Sequence, residues 1–228
     1  MQISVLIRSY NAQSTIKHAV ESALSQNFPK QNFEVIIVDD GSQDKTREIL
    51  ETYKGHPNIR VIYGEHQGGL AAARRALTEA RGGYVIMLDS DDYFMPQTLA
   101  RLSGALDEQP EIAYAYCDYY EEFEGGKRHV KLKSIFETVA CDIMFRRKEL
   151  IAVGFWRDGF NFPEYDLLLR TLDTWKGVHV KEPLFVYCRR SKSATADPAF
   201  VEKGIAELQT AHPDRLKEIG RIRSYALI

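Results

Sequence analysis

Residues 33–46 read FEVIIVDDGSQDKT, in which a nearly continuous apolar run stops at two adjacent aspartates. Such runs are typical of strands that are buried on both faces of a parallel sheet. Ile49, Leu50 and Tyr53 follow at helical spacing, so a helix is expected directly after the strand. A buried strand followed by a helix is the building block of α/β folds, and the segment predicts that class for the chain.

Similar units flank this segment on both sides. We expect strands at 2–8, 59–63 and 84–88, each followed by a helix, with Asn11 as the N-cap of the first helix. Four strand–helix units in succession favour a Rossmann-like, mostly parallel central sheet flanked by helices. The pattern changes after Pro96, which is expected to pre-set the first turn of a helix.

The second half of the chain predicts shorter and more varied elements, so the sheet becomes mixed. The expected elements are a hairpin over 112–133 that turns at Gly125-Gly126, a strand over Ile143–Arg147, a helix over Glu164–Trp175, two short strands within Val178–Arg189 broken at Pro183, and a polar helix over 197–219. No repeat, linker or low-complexity tract separates the two halves. We therefore expect a single domain over residues 1–228.

The composition is that of an ordinary globular protein. The 228 residues include 30 basic and 32 acidic side chains, for a formal net charge of −2, and 44% of them are hydrophobic. No long basic stripe adds a positive surface to this balance. The sequence therefore argues against a nucleic-acid partner.

Membrane spans and disulfides are not expected either. No apolar run reaches the roughly 20 residues that cross a bilayer, and Met1 leads directly into a predicted strand. We expect a cytoplasmic protein without a transmembrane segment, for which peripheral association with the inner face of the cell membrane stays open. Cys117, Cys141 and Cys188 show no CxxC spacing and are odd in number, which favours reduced, buried thiols.

Polar side chains directly follow three of the predicted strands. Ligands of open parallel sheets bind where the strands end, so these side chains are the first candidates for a site. The three segments are Ser9-Tyr10-Asn11, Asp39-Asp40-Gly41-Ser42 and Asp89-Ser90-Asp91-Asp92.

The acidic segment at 89–92 is the sharpest of the three, because its carboxylates repel one another unless a cation holds them. An Asp-x-Asp pair can offer Mg²⁺ or Mn²⁺ one direct and one water-mediated oxygen, with positions left for a diphosphate. Two other interpretations stay open from the residues alone: Asp91 or Asp92 caps the next helix, or the segment is a solvated loop. Likewise, Asp40 and Ser42 either belong to a site or cap the helix that follows them.

A glycine pair, Gly68-Gly69, precedes the helix that contains Leu70. It either makes a simple turn or lets a phosphate approach the helix N-terminus beside Arg74 or Arg75. The sequence contains neither a GxGxxG fingerprint nor a Walker pattern, so dinucleotide and P-loop ATP chemistry are disfavoured.

Taken in order, these segments resemble the family-two inverting nucleotide-sugar glycosyltransferases, which have the GT-A fold. The similar stretches are VLIRSYNAQSTIKHAVESALSQ, FEVIIVDDGSQDKT, HQGGLAAARRAL and GGYVIMLDSDDYFMP, with weaker similarity at PEYDLLLR and EPLFVYCRRSKS. The resemblance implies an enzyme that moves a sugar from a nucleoside-diphosphate sugar, expected to be a UDP-sugar, in one metal-dependent displacement. The acceptor would be a hydroxyl of a glycan or of a lipid-linked saccharide, in bacterial-type surface glycan assembly.

The resemblance also implies roles for residues in the donor half, 1–110. Tyr10 would lie against the nucleobase, Asp40 would contact its uracil-like edge, and Asp39 would support the same pocket. Asp91 would coordinate Mn²⁺ or Mg²⁺ directly, with Asp89 at the ribose or in the metal shell. The other donor contacts would come from Ser9, Asn11, Gly69, Arg74 and Ser90.

The acceptor half, 111–228, would supply the general base. The family usually places an aspartate second in a Glu-Asp pair, and here that pair reads Pro163-Glu164. Glu164 therefore stands at the base position, with Asp166 as the second candidate. The alternative is that both acids only favour the start of a helix through its dipole.

Arg190 stands where many relatives carry a histidine that approaches the metal or the diphosphate. An arginine can grip a phosphate through paired donors, so Arg190, with Arg189 or Lys192, is expected to neutralise the leaving diphosphate. The altered base and histidine positions keep a second function open, a catalytically silent module that binds a sugar nucleotide or a glycan. A receiver-like signalling domain and a nucleotidyltransferase are further alternatives.

The remaining candidates carry weaker signals. The six histidines show no metal-like spacing and are expected at the surface. Four tyrosines of the predicted hairpin either pack within it or line an acceptor sugar site: Tyr114, Tyr116, Tyr119 and Tyr120.

Overall fold

A computed structural model describes residues 2–139, 141–190 and 193–222. Within these residues, nine strands form one sheet. The strands are β1 Ile3–Ser9, β2 Phe33–Asp39, β3 Ile59–Tyr63, β4 Tyr84–Asp89, β5 Tyr93–Phe94, β6 Tyr114–Phe123, β7 Gly126–Val130, β8 Ile143–Arg146 and β9 Gly177–Cys188. The α-helices are α1 Ile16–Leu24, α2 Thr46–Glu51, α3 Gly69–Glu79, α4 Thr98–Glu108, α5 Arg147–Ala152, α6 Pro163–Thr171, α7 Pro198–Ala211 and α8 Leu216–Ile219.

The sheet is mixed, and its strand order is β3-β2-β1-β4-β8-β6-β9-β5, with β7 paired to β6. The first four strands are parallel, as the strand–helix units of the sequence predict. β8 runs antiparallel to both of its neighbours, and β6 and β9 are parallel to each other. The predicted α/β class with a mixed central sheet is confirmed.

The apolar runs of the parallel strands explain why they form the centre of the sheet. Every residue of β2 is buried, and in β1 only Arg8 is partly exposed. Helix α1 covers the strands with Ile16 and Val20, neither of which is exposed. Burial of each such side chain stabilises the fold by roughly 1.5–3 kcal/mol. The register pairs Arg8 with Asp89 and Ser9 with Asp39, so the polar strand ends meet at one edge.

Two predicted helix starts were wrong. Helix α1 begins at Ile16 after Thr15, so Asn11 is not its N-cap. Asn11 has a φ of +49°, and its Oδ1 accepts a hydrogen bond of 2.8 Å from the backbone N–H of Gln43. It therefore joins the loops that follow β1 and β2. Pro96 precedes α4, which begins at Thr98, and so lies before the first turn.

Three boundaries in the second half also differ from prediction. Helix α6 ends at Thr171. The expected break at Pro183 is absent within the continuous strand β9, where Pro183 pairs with Asp118 at a shift in register. The expected terminal helix divides into α7 and α8, because Pro213 follows the end of α7 and lacks the N–H that a continuing helix needs.

The three cysteines are free and buried, as predicted. In the described part of the chain, no helix is both long and apolar enough to cross a bilayer. One expectation for the histidines was wrong, because His212 is buried.

Candidate active site

A crevice of about 490 Å³ opens where β1 and β4 end, at the edge that the sequence predicted for ligand binding. The first half of the chain contributes Arg8 and the acidic residues at 89, 91 and 92 to its lining. The second half contributes Glu164 from the start of α6 and the aromatic side chains of Phe160 and Phe200. The crevice therefore brings the predicted metal motif and the first candidate base together.

Arg8 holds Asp89 through two hydrogen bonds. Its Nε lies 2.7 Å from Oδ1 of Asp89, and its Nη2 lies 3.3 Å from Oδ2. Burial alone would raise the pKa of Asp89, but the charge and the hydrogen bonds of Arg8, together with a hydrogen bond from Cys141, keep that pKa below its ordinary value. Arg8 was not among the site residues predicted from the sequence. The available signal was that Arg8 is basic in a strand otherwise made of apolar residues and serines.

Asp91 is the more available of the two predicted metal ligands. Its Oδ2 lies 3.8 Å from Nε of Arg190, and its side chain is 36% exposed. Burial, followed by the nearby charge of Asp89, raises the pKa of Asp91. The charge of Arg190 only partly offsets these effects, and a carboxylate that is costly to ionise gains from a bound cation.

Asp92 links the acidic turn to the end of β9. It is buried, and its Oδ1 accepts a hydrogen bond of 2.8 Å from the backbone N–H of Cys188. Burial, with the charges of Asp91 and Asp89, raises the pKa of Asp92 well above its ordinary value. The link explains why Arg190, two residues beyond Cys188, lies beside Asp91. Neither acid caps α4, which begins six residues beyond Asp92.

The side chains of the acidic turn fit a divalent cation. Potential ligand atoms of Asp89, Asp92 and Cys141 lie within 4.8 Å of one another, and Asp91 lies in the same turn. Carboxylate oxygens are the ligands that Mg²⁺ and Mn²⁺ prefer. Because Arg8 already engages both oxygens of Asp89, Asp91 has the stronger case for direct coordination.

Glu164 lines the crevice, and burial raises its pKa to about 7. Much of the surroundings of Glu164 is apolar, because it lines a small adjoining cavity together with Leu70, Met87, Phe145 and Trp156. A carboxylate that titrates near neutrality suits general-base chemistry, because such a group is both available and basic at the working pH.

Asp166, the second candidate base, does not line the crevice. Its side chain is completely buried, and it forms ion pairs with Arg157, Arg170 and His212. Burial would raise the pKa of Asp166, but the hydrogen bonds from Arg157 and His212 lower it overall. Asp166 therefore anchors α6 to the chain beyond α7. The structure does not place its carboxylate in the crevice, where the predicted base would have to lie.

The side chain of Arg74, a predicted donor contact, does not line the crevice either. Its Nη1 donates a hydrogen bond of 2.7 Å to Asp158, and its Nε donates one of 3.2 Å to the carbonyl of Trp156. These contacts occupy the guanidinium outside the crevice lining. Gly69 does line the crevice, at the start of α3, whereas Ser90 lies half-buried in the acidic turn.

The predicted nucleobase residues lie beside a loop that Asp40 holds. The ring of Tyr10 is 43% exposed and stacks on His66 with the ring centroids 4.0 Å apart. The Asp40 carboxylate accepts hydrogen bonds of 2.9 Å from the backbone N–H groups of Gln67 and Gly68. Oδ2 of Asp40 also lies 2.8 Å from Nδ1 of His66. Both oxygens of Asp40 are therefore committed to the loop.

Asp39 is the acid with a spare oxygen. Its Oδ2 accepts hydrogen bonds from Arg47 at 2.7 Å and from the backbone N–H of Ser42 at 3.2 Å. Within the described residues, Oδ1 of Asp39 is buried and has no hydrogen-bond partner, and the same is true of the hydroxyl of Ser9. Buried polar atoms normally find partners, so these two atoms favour a ligand at this place.

The predicted phosphate-binding cations differ in their positions. Arg190 lies beside Asp91, as described above. Arg189 instead lies 3.4 Å from the buried carboxylate of Glu121. Lys192 falls outside the described residues.

The tyrosines of the hairpin are not among the crevice-lining residues. Tyr114 and Tyr119 are buried, Tyr116 stacks on His179 at 4.7 Å, and Tyr120 packs on His129. Their packing role is the one that the structure shows.

Comparison with known proteins identifies the class of this chain. Residues 4–173 match the sequence model of glycosyl transferase family 2, and the chain belongs to that family. A relative from Bacillus subtilis, the putative teichuronic acid biosynthesis glycosyltransferase TuaG, is 46% identical over 119 residues, which are 51% of this chain and 46% of TuaG. The match covers 19% of the length of TarS from Staphylococcus aureus, 46% of TuaG and 47% of WfaP from Escherichia coli, so the chain spans less than half the length of these curated relatives.

Solved structures identify the architecture as the GT-A fold. Staphylococcus aureus TarS 1–349 in complex with UDP-GlcNAc has a TM-score of 0.73 and 22% identity, over 95% of this chain and 70% of that one. The mannosyltransferase PcManGT of Pyrobaculum calidifontis, in complex with GDP-Man and Mn²⁺, has a TM-score of 0.78 and 16% identity, over 98% of this chain and 69% of that one.

Proposed function

We propose that this protein transfers a sugar from a UDP-sugar to a hydroxyl of a glycan or a lipid-linked saccharide, in one metal-dependent displacement that inverts the anomeric centre. The observation that carries the proposal is that Glu164 shares the crevice with the acidic turn and has a pKa raised to about 7. This arrangement supports the proposal of a base and a diphosphate site within one cleft.

Residues 1–110 would bind the donor. The nucleobase packs against Tyr10, and Oδ1 of Asp39, which has no hydrogen-bond partner among the described residues, accepts a hydrogen bond from it. The diphosphate lies near Asp91 and Arg190. Asp91, together with Asp89 or Asp92, would hold Mn²⁺ or Mg²⁺, which when bound supplies Lewis-acid neutralisation of the diphosphate.

Glu164 would act as the general base. As the acceptor oxygen attacks the anomeric carbon, Glu164 takes the hydroxyl proton, and the bond between that carbon and the diphosphate oxygen breaks. UDP leaves with the bonding electrons, and Arg190 offsets part of its charge. One displacement from the face opposite the leaving group inverts the configuration.

Residues 111–228 would bind the acceptor. Phe160 and Phe200 line the crevice together with Glu164, and the side-chain amide of Asn161 donates a hydrogen bond of 2.8 Å to the carbonyl of Phe200. Aromatic rings offer an apolar face with a definite geometry, which suits the apolar face of a pyranose. These residues replace the hairpin tyrosines as the proposed acceptor wall.

Two similar proteins support the donor class and the biological setting. The TarS structure contains UDP-GlcNAc, and TuaG is named for teichuronic acid biosynthesis. We therefore propose bacterial surface glycan assembly at the cytoplasmic face of the membrane. PcManGT contains GDP-Man with Mn²⁺, so a GDP-sugar is the donor to test against.

A thermal-shift panel of UDP, GDP, CDP and dTDP, each with and without Mn²⁺, tests the donor class, because specific ligands stabilise the folded state. Release of UDP from UDP-glucose and UDP-GlcNAc then tests catalysis. The silent binding module is the second candidate, favoured by the Arg8 pair that already occupies Asp89. It would give a metal-dependent shift with UDP but no release of UDP in the presence of acceptor sugars.

A further inference from the structure

A second groove, of about 690 Å³, lies where the parallel strands begin, whereas the crevice lies where they end. Gly82 and Gly83, which precede β4, line it together with Gln2 before β1 and Asn32 before β2. The seven residues of β1 rise about 3.3 Å each, so this groove lies about 23 Å from the crevice. It shares no lining residue with the crevice.

The side chains of this groove are mainly basic. Four basic side chains line it, from Arg81, Arg146, Arg147 and Lys148, against one acidic side chain, from Asp107. The formal excess is therefore three positive charges in a chain whose net charge is −2. A local charge of this sign attracts anions even where the whole protein does not.

Arg146 is a structural member of the groove. It donates hydrogen bonds to the carbonyls of Ile112 at 2.7 Å and Leu106 at 2.6 Å, and its Nη1 lies 3.3 Å from the hydroxyl of Tyr84. The same hydroxyl donates to Asp107. Arg146 and Asp107 thus balance each other, which leaves the other three cations in excess.

Those three cations can still form hydrogen bonds or ion pairs with a ligand. Nε of Arg147 is buried and has no acceptor within the residues that the structure describes. Among the same residues, the guanidinium of Arg81 has no ion-pair partner. Lys148 is 74% exposed and lies 3.6 Å from Glu149, a loose pair that stabilises little. A buried donor without a partner destabilises the fold, and an oxyanion in the groove would supply the missing acceptor.

We propose that this groove binds a phosphate ester. Arg81 and Arg147 offer the forked donors that fit phosphate oxygens, and Lys148 adds a mobile charge at the rim. The volume exceeds that of one phosphate, so the ester carries an organic body into the groove. Ile151 lines the same groove and is 47% exposed, which suits an apolar part of that body. A lipid headgroup and a soluble or polymeric phosphate ester share this chemistry.

The test uses the full chain in EDTA without nucleotide, so that no cation draws phosphate to the acidic turn. One arm titrates glycerol 3-phosphate calorimetrically, and the other measures co-sedimentation with phosphatidylglycerol vesicles against phosphatidylcholine vesicles. Arg81→Gln with Arg147→Gln should weaken binding at least about tenfold, a loss of about 1.4 kcal/mol. Lys148→Glu is a second variant at an exposed position, and Lys54→Gln and Lys203→Gln, remote and exposed, are matched controls.

Each result of these binding experiments either supports or overturns the proposal. Binding of the ester alone identifies a soluble or polymeric source, and binding of the anionic vesicles alone identifies a lipid. Either result supports the proposal when the groove variants lose the binding and the controls keep it. No binding in either arm would overturn the proposal, as would binding that survives in the groove variants or is lost in Arg190→Gln at the other edge.

Discussion

The guanidinium of Arg8, at the end of β1, lies 2.7 Å from the carboxylate of Asp89, at the end of β4. The register of the two parallel strands sets this contact, because it pairs the two residues side by side. The first acid of the Asp-x-Asp motif is thereby neutralised from within the protein. In the proposed function, binding of an external cation would therefore depend mainly on Asp91 and Asp92.

Arg8→Gln is expected to tighten Mn²⁺ binding in the absence of nucleotide. A single positive charge and a divalent cation about 6 Å apart repel by roughly 1.4 kcal/mol at the dielectric constant of water and by roughly 5.5 kcal/mol at an effective value of 20. The variant should therefore bind Mn²⁺ roughly ten to ten thousand times more tightly, as measured by electron paramagnetic resonance of free Mn²⁺. Weaker binding would mean that Arg8 organises the site for the metal instead of competing with it.

Glu164→Gln is expected to lower kcat by about two to four powers of ten while leaving UDP affinity unchanged, because it removes the proton acceptor but keeps the shape of the side chain. Steady-state transfer and UDP calorimetry measure the two effects separately. Glu202→Gln, an exposed change on α7, is the matched control. Full activity in Glu164→Gln would place the base elsewhere.

The pH profile of kcat/KM reports on the same group. Burial raises the pKa of Glu164 to about 7, and the base must be deprotonated to act. The rate should therefore rise with pH through about 7 and then level off, whereas an ordinary glutamate, with a pKa of about 4.3, would give a flat profile over this range. A profile that is flat from about pH 5.5 to 8.5 would exclude Glu164 as a base with this pKa.

Asp166→Asn is expected to reduce the free energy of unfolding by about 3–5 kcal/mol, because it removes the fully buried anion that pairs with the mostly buried Arg170 and with Arg157. The folded-state pKa of Asp166 lies below its unfolded value. The stabilisation is therefore present above the unfolded pKa and is lost as the pH falls through the folded one. Urea unfolding at pH 7 and in acid measures both effects, with the exposed Asp173→Asn as control. An unchanged midpoint would contradict the anchoring role.

The sequence predicted the elements that build the donor half because their signals are local. The apolar runs of β1, β2 and β4 gave the parallel strands, and the polar residues after them gave the edge that carries the crevice. Helix starts were less reliable, since Asn11 resembles a cap in sequence yet serves to join two loops.

The missed features depend on contacts between distant parts of the chain. Asp166 resembles a candidate base in the sequence, and only the structure shows that it pairs with Arg157 and His212. Similarly, the partner of Arg8 is Asp89, which lies 81 residues away along the chain. The choice between Asp39 and Asp40 likewise depends on the loop at 66–68, which occupies one acid and not the other. Periodicity and motif spacing carry no information about such pairs.

The central claim is that the acidic turn and the crevice form a metal-dependent site for a nucleoside diphosphate. Calorimetric titration of UDP into the wild-type chain and Asp91→Asn, with Mn²⁺ and with EDTA, tests it most directly. We predict saturable binding only for the wild type with Mn²⁺. Equal binding in EDTA, or undiminished binding by Asp91→Asn, would contradict the claim.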